Sequence, residues 1–172
     1  IIIIGCKSSP KEPVNNFDSE DIKAAIDSAA AGDTVYIPAV RSTWTERVEI
    51  RKEIYVFGAG IDNTIITRVN GGEAFYVNVD VGDTIRLSGM TIDGNDESMG
   101  ITSHNAKNFR IDNIKFRNCK KAIRLWNYSY GVIDHNIFID NYSTDITVYG
   151  DDADSWDREN YYVSTYGDNL GH

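Results

Sequence analysis

The chain has 172 residues, of which 41% are hydrophobic, so its composition suits one folded domain and excludes a disordered chain. Its formal net charge is −9, whereas a phosphate backbone needs clustered cations, so nucleic acid is not an expected partner. The two cysteines, Cys6 and Cys119, stand far apart, and no Cys/His spacing suggests a zinc site.

The first residues resemble the end of a bacterial lipoprotein signal. A run of isoleucines and Gly5 precede Cys6, and a polar segment containing prolines follows it. We predict residues 1–17 to be a signal remnant and linker, with membrane attachment through a lipidated Cys6. The expected location is then extracellular or cell-surface, as an outer-membrane lipoprotein. The alternative is a truncated apolar strand with a chance cysteine.

Residues 18–32 have the pattern of one amphipathic helix. Apolar residues recur at the spacing of a single helical stripe: Ile22, Ala25, Ile26 and Ala29. Asp18 or Ser19 can cap the first turn, and Gly32 is suited to end the helix.

From residue 33 onward the pattern changes to short β-rich runs that repeat. One series consists of Leu87, Ile111 and Ile133, at spacings of 24 and 22 residues. A second, interleaved series consists of Ile101, Ile123 and Ile146, at spacings of 22 and 23 residues. Each run is too short to bury an apolar row alone, but stacked coils would complete a core. The pattern predicts an all-β solenoid, a right-handed parallel β-helix over residues 33–172, with residues 18–32 as its N-terminal capping helix.

Polar residues fall between the second and third strand of each expected coil. They are Gly89, then Asn113, then His135 or Asn136, and we expect them to stack as a ladder. Asp112, Asp134 and Asp140 lie within the repeat and are interpreted as turn and ladder residues.

Long segments resemble the pectin-lyase-like β-helix proteins. The segment from Ser19 to Thr67 is similar to their N-terminal cap and first coils, and "FRIDNIKFRNCKKAIRLWN" and "GVIDHNIFIDNYSTDITVYG" are similar to their generic repeat. The resemblance covers residues 18–150 and implies the fold more than any one reaction, because this superfamily includes lyases, hydrolases, esterases, epimerases, phage tailspikes and adhesins.

One strand face collects residues suited to a sugar. If the second series points inward, its neighbours point outward and stack in columns about 4.8 Å apart. The resemblance implies that this face lines a substrate groove. We predict Tyr76, Asn78, Trp126 and Tyr149 as substrate-binding residues, and Arg124 and His104 as catalytic residues that hold a uronate carboxylate and exchange a proton. The alternative is that the aromatic rings only pack and that Arg124 pairs with a nearby acid.

An acidic turn follows Tyr149 directly. Asp151, Asp152 and Asp154 stand close together, and their oxygens could bind Ca²⁺, which would neutralise a uronate carboxylate during elimination. A solvated acidic turn is the alternative.

Three functional hypotheses follow from these patterns. The first is a polysaccharide-active enzyme, a uronan lyase of the pectate or alginate type or a related enzyme. The second is a non-catalytic β-helix that binds an acidic polysaccharide or another glycan as an adhesive surface module. The third is a fragment of a longer solenoid whose catalytic residues lie beyond His172.

Overall fold

The structure, a computed structural model, describes residues 17–80, 82–127 and 129–149, and the backbone of residues 163–164. One helix, α1 (Ser19–Ser28), precedes a succession of short parallel strands. The strands are β1 (Thr34–Ile37), β2 (Val40–Trp44), β3 (Val48–Ile50), β4 (Ile54–Gly58), β5 (Thr64–Arg68), β6 (Glu73–Val77), β7 (Ile85–Asp93), β8 (Met99–His104), β9 (Lys107–Arg117), β10 (Lys121–Trp126), β11 (Tyr130–Asp134), β12 (Ile137–Ile139), β13 (Thr144–Tyr149) and β14 (Val163–Ser164).

Helix α1 begins at a capping box. The Asp18 carboxylate accepts from the amides of Glu20 and Asp21, and the Asp21 carboxylate accepts from the Asp18 amide. The helix ends at Ser28, before Gly32, because Ala29 already has extended backbone that leads the chain toward β1. Lys52 donates to the carbonyl of Ala29 at 2.6 Å and so caps this end.

The strands form two parallel sheets along the solenoid. A five-stranded sheet has the order β13-β10-β8-β6-β3, and a nine-stranded sheet contains the remaining strands. Within β7 and β9 the nine-stranded sheet bends at Gly89 and Asn113, and in the next coil the bend falls at His135; all three have positive φ. The fold is therefore the predicted parallel β-helix with an N-terminal capping helix.

Strand pairing confirms the repeats read from the sequence. Leu87 pairs with Ile111, and Ile111 pairs with Ile133, in the nine-stranded sheet. Ile123 pairs with both Ile101 and Ile146 in the five-stranded sheet. Strand β2 is absent from the sequence prediction, because its polar residues give no apolar run, yet it pairs with β5 over its whole length.

The predicted ladder has two components. His135 supplies the bend and is exposed, whereas Asn136 is fully buried beside it. The Asn136 amide donates to the Ile111 carbonyl at 2.8 Å, and its oxygen accepts from the Ile114 amide at 2.9 Å. Asn136 thus satisfies the backbone around the preceding coil's bend.

The core runs along the axis of the solenoid. Both sheets contribute buried aliphatic and aromatic side chains, including Phe75, Leu87 and Phe116. The helix covers the first coil with Ile22 and Ile26, which are 0% and 2% exposed. Burying an isoleucine in this way contributes roughly 1.5–3 kcal/mol.

Candidate functional site

The outer face of the five-stranded sheet brings most of the predicted site residues together. Thr102 pairs with Tyr76 on one side and Arg124 on the other, and Trp126 pairs with His104 and Tyr149. Because paired residues in parallel strands point the same way, these side chains form two adjacent columns. We call this surface the aromatic face, defined by Tyr76, His104, Arg124, Trp126 and Tyr149.

The inward residues are those expected from alternation. Ile101, Ile123 and Leu125 are at most 1% exposed, and Ser103 is buried with its hydroxyl 3.2 Å from that of Ser129. Thr102 is only 1% exposed despite its outward position. Arg124 lies over it, with Nε donating to the Thr102 hydroxyl at 3.3 Å.

Each tyrosine or tryptophan ring on this face has a cationic side chain beside it. The guanidinium carbon of Arg47 lies 4.5 Å from the Tyr76 ring centroid, and that of Arg124 lies 5.5 Å from the Trp126 centroid. The Lys121 ammonium lies 5.2 Å from the Tyr149 centroid and donates to the Tyr149 hydroxyl at 2.6 Å. The two arginine positions suit cation–π attraction, whereas the Lys121 ammonium lies near the edge of the Tyr149 ring, against its hydroxyl.

The rings also stack on one another along the solenoid axis. Trp126 and Tyr149 have centroids 4.1 Å apart and planes 14° apart. Tyr76 and His104 are stacked more loosely, at 6.4 Å and 29°. The stacks hold the rings in fixed positions, but each stacked pair covers one face of each ring.

An amide lies against each ring nitrogen of His104. Its Nδ1 lies 3.0 Å from the side-chain nitrogen of Asn105, and its Nε2 lies 3.0 Å from that of Asn127. A neutral imidazole accepts at one nitrogen and donates at the other, and an amide nitrogen only donates, so one of these contacts is a hydrogen bond to the unprotonated nitrogen. The other contact becomes a hydrogen bond when its amide turns to present the oxygen. The two amides together orient the ring.

Arg124 takes part in an ion-pair network that crosses the sheet. Its guanidinium lies 3.7 Å from Glu73, which is 4% exposed and is also bound by Arg47 at 2.7 Å. Arg47 also pairs with Glu49, which Arg51 binds at 2.7 Å from the other side. The network therefore alternates Arg51, Glu49, Arg47, Glu73 and Arg124.

The shifts in pKa follow from these pairs. The Glu73 hydrogen bond raises the pKa of Arg47 above its usual range, more than burial lowers it. The hydrogen bond from Arg51, joined by that from Arg47, holds the pKa of Glu49 below its usual range against the effect of burial. Both groups stay charged near neutral pH.

Sequence reasoning missed Glu73, Arg47 and Lys121. The repeat offered a signal for two of them, since Met99 pairs with both Glu73 and Lys121 at the start of three consecutive strands of this sheet. Arg47 precedes β3, in the turn after β2, which the sequence prediction lacked.

The remaining predicted residues lie beside the aromatic face or outside the described part of the chain. Asn78 follows β6 and is partly exposed. Its backbone amide donates to the Ile50 carbonyl, so the residue borders the aromatic face. Asp151, Asp152 and Asp154 lie outside the described residues, as does Cys6. Within the described ranges no group of three or more His, Cys, Asp or Glu side chains could hold a metal ion. Among the same residues, no helix has the length and apolar character needed to cross a membrane.

Two arginine–aspartate ion pairs and the buried Cys119 lie outside the aromatic face and have structural roles. Arg110 binds Asp134 through two hydrogen bonds, at 3.0 and 2.6 Å, and Arg86 binds Asp112 in the same way. These pairs join successive coils, which agrees with the ladder interpretation of both aspartates. Burial raises the pKa of the Cys119 thiol to about 12, so this cysteine is not a thiolate nucleophile near neutral pH.

Comparison with known proteins shows which family the chain belongs to. Residues 48–163 match the family model described as "Right handed beta helix region", which is more than half of the chain. The chain therefore belongs to the right-handed β-helix family.

Three known proteins resemble this chain in sequence or in fold. A pre-neck appendage protein of Bacillus phage B103 is 28% identical over 121 residues, which cover 59% of this chain and 14% of the phage protein. The ORF18 structure of Geobacillus virus E2 is similar at a TM-score of 0.57 and 17% identity, covering 85% of this chain and 41% of that one. The A-module of the Azotobacter vinelandii mannuronan C-5 epimerase AlgE6 is similar at 0.56 and 18%, covering 79% and 53%. The chain thus spans about half or less of these proteins, and the two structural likenesses show the fold.

Proposed function

We propose that the chain is a glycan-binding surface β-helix that takes an acidic polysaccharide on its aromatic face. The observation that carries this proposal is the set of three rings, Tyr76, Trp126 and Tyr149, each with a cation within 5.5 Å. The partly exposed surfaces of these rings can pack against the apolar C–H groups of a sugar, and neighbouring cations attract carboxylates. The pairing of both features on one face favours a uronic acid polymer over a neutral glycan.

The relatives support the same direction. The similar proteins include a pre-neck appendage protein of a phage, alike in sequence, and a module named as a mannuronan C-5 epimerase, alike in fold. We infer an extracellular or surface location from the appendage similarity.

Binding without turnover fits the geometry better than a lyase reaction. A lyase needs a base that can accept the substrate's α-proton, and the unprotonated nitrogen of His104 already accepts from an asparagine amide at 3.0 Å. Arg124 contacts Thr102 and Glu73, and in the binding proposal it keeps its predicted role of attracting a carboxylate. The lyase hypothesis stays a prediction with its own assay below.

The binding test compares acidic and neutral polymers. We expect polygalacturonate or alginate to retard the protein in affinity electrophoresis, and dextran to leave it unretarded. The substitution Trp126→Ala should weaken binding by about tenfold, because it removes one stacking surface and its partner for Arg124.

A matched aromatic control is available outside the face. Tyr142 is 78% exposed, and Tyr142→Ala should bind as the wild type does. Equal binding of the wild type and Trp126→Ala, with unchanged circular dichroism, would contradict the proposal. So would retention by dextran as strong as that by the uronans.

The lyase hypothesis is tested with the same polymers. Incubation with each uronan, with and without Ca²⁺, should give no absorbance from unsaturated uronate products. Product that is lost in His104→Ala would reinstate the lyase and overturn the non-catalytic part of the proposal.

Two further proposals concern residues outside those described. We propose that Asp151, Asp152 and Asp154 bind Ca²⁺, which calorimetry of the wild type and Asp152→Ala would test. We also propose that Cys6 is lipidated, which mass spectrometry of membrane-extracted native protein would test. Absence of heat on Ca²⁺ titration, or an unmodified Cys6, would reject the respective proposal.

A further inference from the structure

We infer that the glycan site continues beyond β3 into a groove beside α1, where it holds further uronate units of the same chain. The groove has a volume of about 900 Å³. This inference rests on the proposed function and adds to it a second segment of the site.

Three parts of the chain form the groove. Helix α1 contributes Lys23, Ile26 and Asp27, and the segments around β3 contribute most of the remaining charged groups. The turn before β6 contributes Asn70, Gly71 and Gly72 on the opposite side. The groove therefore lies at the cap end of the five-stranded sheet.

Cations outnumber acids among the lining residues. The basic residues are Lys23, Arg47, Arg51, Lys52 and Arg68, and the acidic residues are Asp27, Glu46, Glu49 and Glu73. Glu49 pairs with Arg47 and Arg51, and Glu73 pairs with Arg47 and Arg124, so these charges largely offset one another. The lining keeps an excess of one cation, which favours an anionic ligand although the whole chain has a net charge of −9.

Arg68 adds a buried charge at the base of the groove. It is 6% exposed, and within the described part of the chain it donates to four carbonyls, those of Glu73, Trp44, Thr45 and Val69. The carboxylates of Glu46 and Glu73 also attract its charge, which burial disfavours. A carboxylate entering the groove would add to this attraction at short range.

The turn leaves room for a ligand against the backbone. Asn70, Gly71 and Gly72 follow one another at φ values of 68°, 68° and 75°. A Cβ built on Gly71 would meet no atom within 4 Å, so the groove is open at this point.

Two residues of the groove contact the aromatic face. Arg47 lines the groove and lies over Tyr76, and Glu73 lines the groove and contacts Arg124. The five strands span about 19 Å at their usual separation, so a polymer lying across them from Tyr149 reaches Arg47 and then the groove.

The experiment measures how affinity depends on ligand length. Trimers and nonamers of galacturonate and of mannuronate are titrated calorimetrically into the full chain. For whichever uronate the wild type binds more tightly, we expect the nonamer to bind about tenfold more tightly than the trimer of the same uronate. In the double variant Lys23→Ala/Arg51→Ala this advantage should fall to about twofold, because the nonamer loses most of its extra affinity and the trimer loses much less.

The two substituted side chains are suited to this test. They are 30% and 63% exposed and pair with Glu20 and Glu49 at the surface, so their loss should leave the fold intact. Arg41→Ala, an exposed cation on β2 in the other sheet, is the control for a general loss of charge. A steric variant, Gly71→Asn, keeps the groove's charge and suits the positive φ, and should also weaken mainly the nonamer.

The outcomes separate the inference from the function beneath it. Trimer and nonamer weakened equally by the double variant, or a nonamer advantage kept in both groove variants, would overturn the groove segment and leave the aromatic face standing. Binding of neither length by the wild type would overturn the proposed function and this inference together.

Discussion

Single residues on the outer surfaces are positioned by charge pairs between coils. Arg110 and Asp134 come from consecutive strands of the nine-stranded sheet, and Asp134 is 5% exposed. Burial tends to raise the pKa of Asp134, but hydrogen bonds from Arg110 and His135 outweigh burial and hold it below its usual range.

This depressed pKa predicts acid sensitivity. A carboxylate whose pKa is lower in the folded state stabilises the fold above its unfolded pKa, and loses that contribution as pH falls through the folded pKa. We expect Asp134→Asn to lower the free energy of unfolding by about 1–3 kcal/mol at neutral pH. The difference from wild type should shrink below the ordinary aspartate value of 3.8.

Urea unfolding across this pH range checks the prediction. Asp140→Asn, an exposed turn residue, serves as the control and should change stability little. A deficit in Asp134→Asn that is the same at neutral and acid pH would show that the Arg110 pair is not its origin.

At the scale of the element, asparagine side chains hold the turns between strands of the solenoid. Asn136 and Asn141 each bond a carbonyl and an amide of the preceding coil. Asn136 is fully buried, whereas Asn141 is partly exposed. Water can therefore replace the hydrogen bonds of Asn141 more easily than those of Asn136.

Substitution of the two asparagines should therefore differ in cost. We expect Asn136→Ala to lower the free energy of unfolding by about 3 kcal/mol, since it leaves two buried backbone groups unpaired. Asn141→Ala should cost about 1 kcal/mol. Chemical denaturation of both variants measures the difference, and equal costs would reject the importance of burial here.

The strands themselves were the most predictable elements. Isoleucine and leucine recur once per coil, and the register follows from them because a shift by one residue would turn the apolar row outward. The spacing between Ile101, Ile123 and Ile146 therefore matched the observed pairing. Strand β2 escaped prediction because its stability comes from pairing with β5 and not from its own pattern.

At the scale of the whole molecule, α1 closes one end of the solenoid. Its apolar stripe packs on the first coil, and an open strand edge or coil end is a template for association. The helix therefore protects the first coil as well as completing the core.

Disruption of this cap should cause self-association. We expect Ile26→Asp, at a position 2% exposed, to loosen α1 and to shift the protein to larger species in sedimentation velocity. Ala24→Asp, on the exposed side of the same helix, is the matched control and should sediment as the wild type does. A monodisperse Ile26→Asp protein would contradict the protective role of the helix.

The amino-acid sequence by itself determined the solenoid, its period, its register and its capping helix. Those features depend on local spacing and on apolar rows, which are visible along the chain. It also brought Tyr76, His104, Arg124, Trp126 and Tyr149 to one face, because alternation and register together place outward residues.

Only the tertiary structure decided how those residues are engaged. The amides on both sides of His104, the buried Glu73 between Arg47 and Arg124, and the groove beside α1 join segments from different coils. Side-chain length and direction across neighbouring strands set these contacts, and no spacing within one strand encodes them. The aromatic face read from the sequence thereby acquired its cations, and its two predicted catalytic residues acquired partners within the protein.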